Sequence, residues 1–325
     1  MPRPDSVEPF VRGTAWPAGA GVSYPRADPA DMARLPIDTW GTASLPVVVR
    51  LELVGAARAI RVAYRTETDD LGYRGQGAGT TFAVWRGDEQ VDEQKASLGE
   101  DTVELALGPG PDRAVVYLPE GMKPTILSID AVDGDIEPAP AQPRWLCYGD
   151  SLAEGWIASG PSGAWSAIAG RRFGLDHVNL GYAGSARGEL VSAEHIAALD
   201  SPAVISVSHG TNCWTRIPHS VEQMTANTRA FLTVLRQGHP ATPMLVCSPV
   251  VRPDAETTPN RLGASLVDLR GAMEKVASEF DVTVVSGEGV LTADQLPDGI
   301  HPGDDGHRVM ADVFGAAVAR AAGVA

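Results

Sequence analysis

Trp145-Leu146-Cys147-Tyr148-Gly149-Asp150-Ser151-Leu152 is the stretch on which the reading of the fold turns. An apolar run of strand length breaks at a glycine and delivers an acid and a serine, as a buried parallel strand does where it ends in a loop. Further runs of that kind follow at 177–180, 203–207, 244–247 and 282–285, with amphipathic stretches between them. Val221, Met224, Phe231, Leu232 and Leu235 share one helical face, and Gly238 with Pro240 supplies a stop. Leu262, Leu266, Leu269, Met273, Val276 and Phe280 form a second stripe. A last helix over 305–321 turns Met310, Val313, Phe314 and Ala317 inward, with Asp304 and Asp305 at its favourable N-terminal end. Strands alternating with helices predict a flavodoxin-like, three-layer α/β/α unit on a five-stranded parallel sheet over residues 144–325.

Upstream the pattern changes. Short β-branched and apolar runs at 47–53, 59–64, 80–85, 102–107, 114–118 and 125–131 are separated by Gly, Pro and Asp, and helical periodicity is largely missing. One twisted sheet would leave a face unburied, so residues 1–135 are expected to form an all-β sandwich or jelly roll. Between the two units lies Ile136-Glu137-Pro138-Ala139-Pro140-Ala141-Gln142-Pro143. Its prolines predict a linker over 136–143 that neither pairs in a sheet nor continues a helix.

The chain has 325 residues, 44% of them apolar, 21% charged, with a formal net charge of −15. That surplus of carboxylates argues against nucleic acid and anionic membranes as partners. No apolar stretch approaches the roughly 20 residues a membrane helix needs. The start, Met1-Pro2-Arg3-Pro4-Asp5-Ser6, lacks a basic segment followed by an apolar one, and the expected location is the cytoplasm. Cys147, Cys213 and Cys247 have no CxxC spacing and read as free thiols. No metal or organic cofactor is expected, because no His/Cys cluster has ligand spacing.

Functional groups of an open parallel sheet collect at the carboxyl ends of its strands. Ser151 stands there after the first strand, although Gly-Asp-Ser is also an ordinary turn and N-cap sequence. A serine hydroxyl needs a base, and the base an orienting group. Asp298-Gly299-Ile300-His301-Pro302 offers both, three residues apart, ahead of the last helix; an Asp-Gly turn with an incidental histidine reads equally simply. Acyl transfer further needs donors for an oxyanion. Gly184 after the second strand could give a backbone N–H, Asn212 in Gly210-Thr211-Asn212 a side-chain amide, and Ser151 its own N–H. Each also fits a plain turn. Trp156 and Trp214 follow two of these blocks and either wall a small acyl pocket, stack on a sugar ring or simply pack.

Taken in order, Gly149-Asp150-Ser151, Gly184 within Gly-Tyr-Ala-Gly, Gly210-Thr211-Asn212 and Asp298-Gly-Ile-His301 resemble the four blocks of the SGNH/GDSL hydrolase superfamily. The resemblance spans about residues 145–321, and the segment 160–181 is similar to two-domain bacterial members that carry a β-sandwich ahead of the hydrolase unit. It implies Ser151 as nucleophile, His301 as base, Asp298 as its orienting acid, and Ser151, Gly184 and Asn212 as oxyanion donors. Cys213 stands where many members have Asp, which bears on loop geometry; as a nucleophile it lacks a histidine partner. The implied activity is hydrolysis of short-acyl, acetyl-type esters of small molecules or carbohydrates, with no cofactor. The alternatives are an acyltransferase using the same triad and an inactive carbohydrate- or partner-binding protein. Oligomeric state is unknown from the sequence.

Overall fold

A computed structural model describes residues 6–71, 79–215 and 217–324. Its N-terminal part holds β1 (Val11–Arg12), helix α1 (Ile37–Ala43), β2 (Arg50–Val54), β3 (Ala59–Thr66), β4 (Thr81–Arg86), β5 (Glu89–Lys95), β6 (Gly99–Ala106), β7 (Ala114–Tyr117), β8 (Thr125–Val132) and β9 (Glu137–Pro138). All pairings are antiparallel. One sheet runs β1-β2-β7-β4-β5 with β9 also on β2; the other is β6-β3-β8. Leu51, Leu53, Phe82, Val84 and Val116 from the first meet Ile60, Val62, Leu105 and Ile129 from the second in one core, so this part is a β-sandwich.

Two of its strands escape the expected pattern. β5, Glu89-Gln90-Val91-Asp92-Glu93-Gln94-Lys95, has no buried residue, and its place comes from main-chain pairing with β4. β9 corrects the expectation of an unpaired linker: Glu137 and Pro138 pair with Val54 and Leu53, and the Ala139 N–H donates to Glu52 O at 3.1 Å. Pro138 is tolerated because a two-residue edge strand does not need its missing N–H.

The second part contains β10 (Arg144–Gly149), α2 (Ser151–Glu154), α3 (Trp165–Phe173), β11 (Asp176–Gly181), α4 (Leu190–Ala197), β12 (Val204–Ser208), α5 (Val221–Gly238), β13 (Met244–Cys247), α6 (Leu266–Ala277), β14 (Thr283–Val285), α7 (Asp304–Met310) and α8 (Ala316–Ala321). The parallel sheet runs β11-β10-β12-β13-β14. This is the flavodoxin-like order, reversing direction between β10 and β12. Alternate strand residues enter opposite layers. Leu146, Tyr148, Ile205, Val207, Met244 and Val246 pack with Met224, Phe231, Leu235 and Met273. Trp145, Cys147, Val204, Leu245 and Cys247 pack with Trp165, Ile168, Met310, Phe314 and Val318. Helices therefore cover both faces.

Capping boxes, Ser220 with Gln223 and Ser265 with Asp268, start α5 and α6. Leu262 lies outside α6 and is exposed, because the helix begins after Ser265. The last helix holds a π turn over Ala311–Gly315, and the altered register leaves Val313 37% exposed while Met310, Phe314 and Ala317 stay buried.

The segment between β1 and β2 serves the α/β part. Ala27, Leu35 and Ala43 belong to the same core as Leu146 and Phe231. Leu45, Val47, Val48, Val115 and Tyr117 pack on Ala164 and Ala167 of the α/β part. Across this seam Arg50 donates to His177 O and Asp176 Oδ1, both at 3.1 Å.

Candidate active site

β10 ends at Gly149, where only glycine fits, since a Cβ there would lie 2.2 Å from Ser208 O and 2.5 Å from Ala153 Cβ. Asp150 then caps α2, accepting the Leu152 N–H at 3.1 Å, and its second oxygen accepts the Thr211 N–H at 3.2 Å. One carboxyl thus ties the loops after β10 and β12, the two strands that flank the reversal of strand order, where open α/β sheets bind ligands. Burial pushes this carboxyl up to about 6, with the N–H groups of Leu152 and Thr211 working against it.

Ser151 is delivered beside this junction. Its Oγ lies 2.9 Å from His301 Nε2, and His301 Nδ1 lies 2.6 Å from Asp298 Oδ2. The other Asp298 oxygen accepts the N–H of His301 at 2.7 Å and of Ile300 at 2.9 Å, in a turn that Gly299 closes with φ +81°. With a carboxylate at Nδ1, the proton belongs there and Nε2 is left as the acceptor for the serine hydroxyl. Burial lowers the imidazole below its ordinary range, opposed by Asp298 and reinforced by Arg252. For Asp298, burial acts upward, but the bonds from the His301 ring and from the two N–H groups outweigh it and hold the carboxyl low. A neutral base and an ionised orienting acid are the states a serine nucleophile needs.

Gly184 adopts φ +71°, and a Cβ there would meet nothing, so backbone conformation rather than space selects glycine. The adjacent Ala183 N–H donates to Glu154 Oε2 at 2.5 Å, which fixes the loop. The Asn212 side-chain amide donates to Ser185 O, leaving its second hydrogen for another acceptor. Among the described residues, the N–H groups of Ser151 and Gly184 have no acceptor. Ser151, Gly184, Asn212 and His301 line one cleft of about 590 Å³.

Trp156 also lines that cleft, its ring 6.0 Å from the His301 ring. Trp214 does not, and of its three readings it takes packing. Its Nε1 donates to Thr258 O at 2.8 Å, which turns the indole toward the loop after β13, where the Arg252 guanidinium lies over it at 5.1 Å. Sequence reasoning missed Thr42, Leu45, Arg252 and Ile300 in the cleft wall. Ile300 sits inside a motif already singled out, but the others come from segments with no motif.

Fold and site geometry together define the SGNH class of α/β/α hydrolases. The chain belongs to the GDSL-like lipase/acylhydrolase family, whose match covers residues 147–309, and it is a carboxylic ester hydrolase. No curated protein shows significant similarity to it. Among solved structures, it is similar to a GDSL-like lipase from Bacteroides ovatus ATCC 8483, at 20% identity over 97% of this chain and 96% of that one, with a TM-score of 0.79. A salicylyl-acyltransferase from a tetracycline biosynthetic pathway matches at 23% identity over 99% and 97%, TM-score 0.79. A family two carbohydrate esterase from Clostridium thermocellum matches at 15% identity over 85% and 93%, TM-score 0.62. At these identities the likeness is one of fold.

Proposed function

We propose that the protein cleaves short-acyl, acetyl-type carboxylic esters of small molecules or carbohydrates through an acyl-enzyme on Ser151. The observation that carries this reading is the unbroken line from Asp298 through His301 to Ser151, at 2.6 and 2.9 Å. Ser151 Oγ attacks the ester carbonyl while His301 Nε2 takes its proton. The oxyanion is held by the N–H groups of Ser151 and Gly184 and by the Asn212 amide, donors already in place before charge develops. Collapse of the intermediate releases the alcohol with the proton from His301, and water, deprotonated by the same imidazole, frees the acid. The carbohydrate part of this reading draws support from the carbohydrate esterase of the same fold, and the short-acyl part from Trp156, which lines the cleft beside the imidazole.

The test is p-nitrophenyl acetate turnover by the wild type and Ser151→Ala. Loss of about three or more orders of magnitude in kcat with an unchanged fold is expected. Retained turnover in the folded variant would exclude Ser151 as nucleophile. Whole-chain likeness to an acyltransferase also motivates adding acceptor alcohols to the assay: acyl product in excess of free acid would make water the minor acceptor.

A further inference from the structure

The cleft around Ser151 has an electrostatic bias that its hydrolytic chemistry does not require. In a chain of net charge −15, none of the residues lining it is an aspartate or glutamate, while Arg252 contributes a guanidinium to its wall. The Arg252 side chain is only 7% exposed. Its position is built from three sides. Nε and Nη2 bind the two Asp254 oxygens at 2.9 and 3.1 Å, the ring of Trp214 lies beneath the guanidinium, and the Arg252 N–H donates to Glu256 Oε2 at 3.2 Å. Glu256 is itself held by Arg270.

A guanidinium has five N–H donors, and Asp254 takes one edge of the fork. Among the described residues, Nη1 has no partner, so the end of the fork that Asp254 does not use is free. Asp254 is 55% exposed and its charge is screened by water, whereas Arg252 is buried and lines the cleft. The recess is also much larger than an acetyl group, about 590 Å³, so a substrate extends well past its reacting carbonyl.

We infer that the ester substrate carries an oxyanion group, such as a carboxylate, which the free end of the Arg252 guanidinium binds inside the cleft. This rests on the reading of Ser151 as nucleophile. Arg252 is then a specificity-determining residue. The shared chemistry is an ester with a planar or tetrahedral oxyanion a few bonds from the carbonyl, on the acyl side or the alcohol side.

Two matched pairs separate the sides. Mono-p-nitrophenyl succinate against p-nitrophenyl pentanoate places the charge on the acyl group. 3-Acetoxybutyrate against 3-acetoxybutanamide, followed by acetate release, places it on the alcohol. The readout is the ratio of kcat/KM for the charged member to that for the neutral one. The wild type is expected to favour the anion by about tenfold or more in one arm, the scale of a charge-assisted forked bond. That ratio should fall several-fold as salt is raised, drop to about one or below in Arg252→Gln, and take an intermediate value in Arg252→Lys, which keeps the charge without the fork. A wild-type ratio near one in both arms, or one that salt does not change, overturns the inference without any variant. So does a ratio that survives Arg252→Gln in a protein with native circular dichroism. Running p-nitrophenyl acetate with wild type and Ser151→Ala alongside tells the two failures apart. Ser151-dependent turnover with a flat ratio ends the Arg252 inference alone. Turnover that does not depend on Ser151 ends the nucleophile assignment and this inference with it.

Discussion

At the scale of single residues, the protonation of His301 governs what the site can do. Only the neutral imidazole accepts the serine proton, so activity is lost as pH falls through its pKa. Burial and the nearby Arg252 lower that pKa more than Asp298 raises it. The acid limb of kcat/KM for p-nitrophenyl acetate is therefore expected below the ordinary imidazole value of about 6.5. A pH profile whose acid limb lies above that value would contradict the balance of forces described for His301. Asp298 stays ionised through the same range, because its carboxyl is held low.

At the scale of elements, the segment that leads to α1 acts as a brace for the loops of the cleft. Arg26 is fully buried. It donates to Leu45 O and Thr42 O at 2.7 Å each, to Asn179 O at 3.2 Å and to Gly181 O at 2.5 Å, and lies 3.7 Å from Glu154. Glu154 in turn holds the Ala183 N–H beside Gly184. One cation thus joins the cleft-lining residues Thr42 and Leu45 to the end of β11 and to α2. Arg26→Ala would remove the cation beside buried Glu154 and the hydrogen bonds that join the four carbonyls. A loss of about 3–5 kcal/mol is expected from urea unfolding. A loss under about 1 kcal/mol, the scale of an exposed pair, would show that the brace is dispensable.

At the scale of the whole molecule, the sandwich and the α/β part share packing. Ala27, Leu35 and Ala43 complete the α/β core, while Val47, Val48 and Tyr117 cover Ala164 and Ala167. Arg50, only 2% exposed, pairs across the seam with Asp176. A fragment comprising residues 144–325 would expose these apolar faces and take Arg50 from Asp176, leaving it Arg144 alone. The full chain is expected to unfold in one calorimetric transition, and the fragment to bind a hydrophobic dye without a cooperative transition of its own. A fragment that melts cooperatively would assign the N-terminal part a dispensable role.

What the sequence determined by itself is what local chemistry encodes. Unbroken apolar runs such as Trp145 to Tyr148 specify buried strands, since alternate side chains enter two different layers and both are apolar. The ordered blocks at Ser151, Gly184, Asn212 and His301 were readable as a family pattern, each resting on residues adjacent in the chain. β5 was not legible, because an edge strand without a buried side is held by main-chain bonds that leave no apolar trace. Nor was the pairing of Pro138, the reach of Arg26 to Glu154, the presence of Thr42, Leu45 and Arg252 in the cleft, or the turning away of Trp214. Those outcomes depend on contacts between residues far apart in sequence, whose entropy cost is met only when the whole core closes, and so tertiary structure alone decided them.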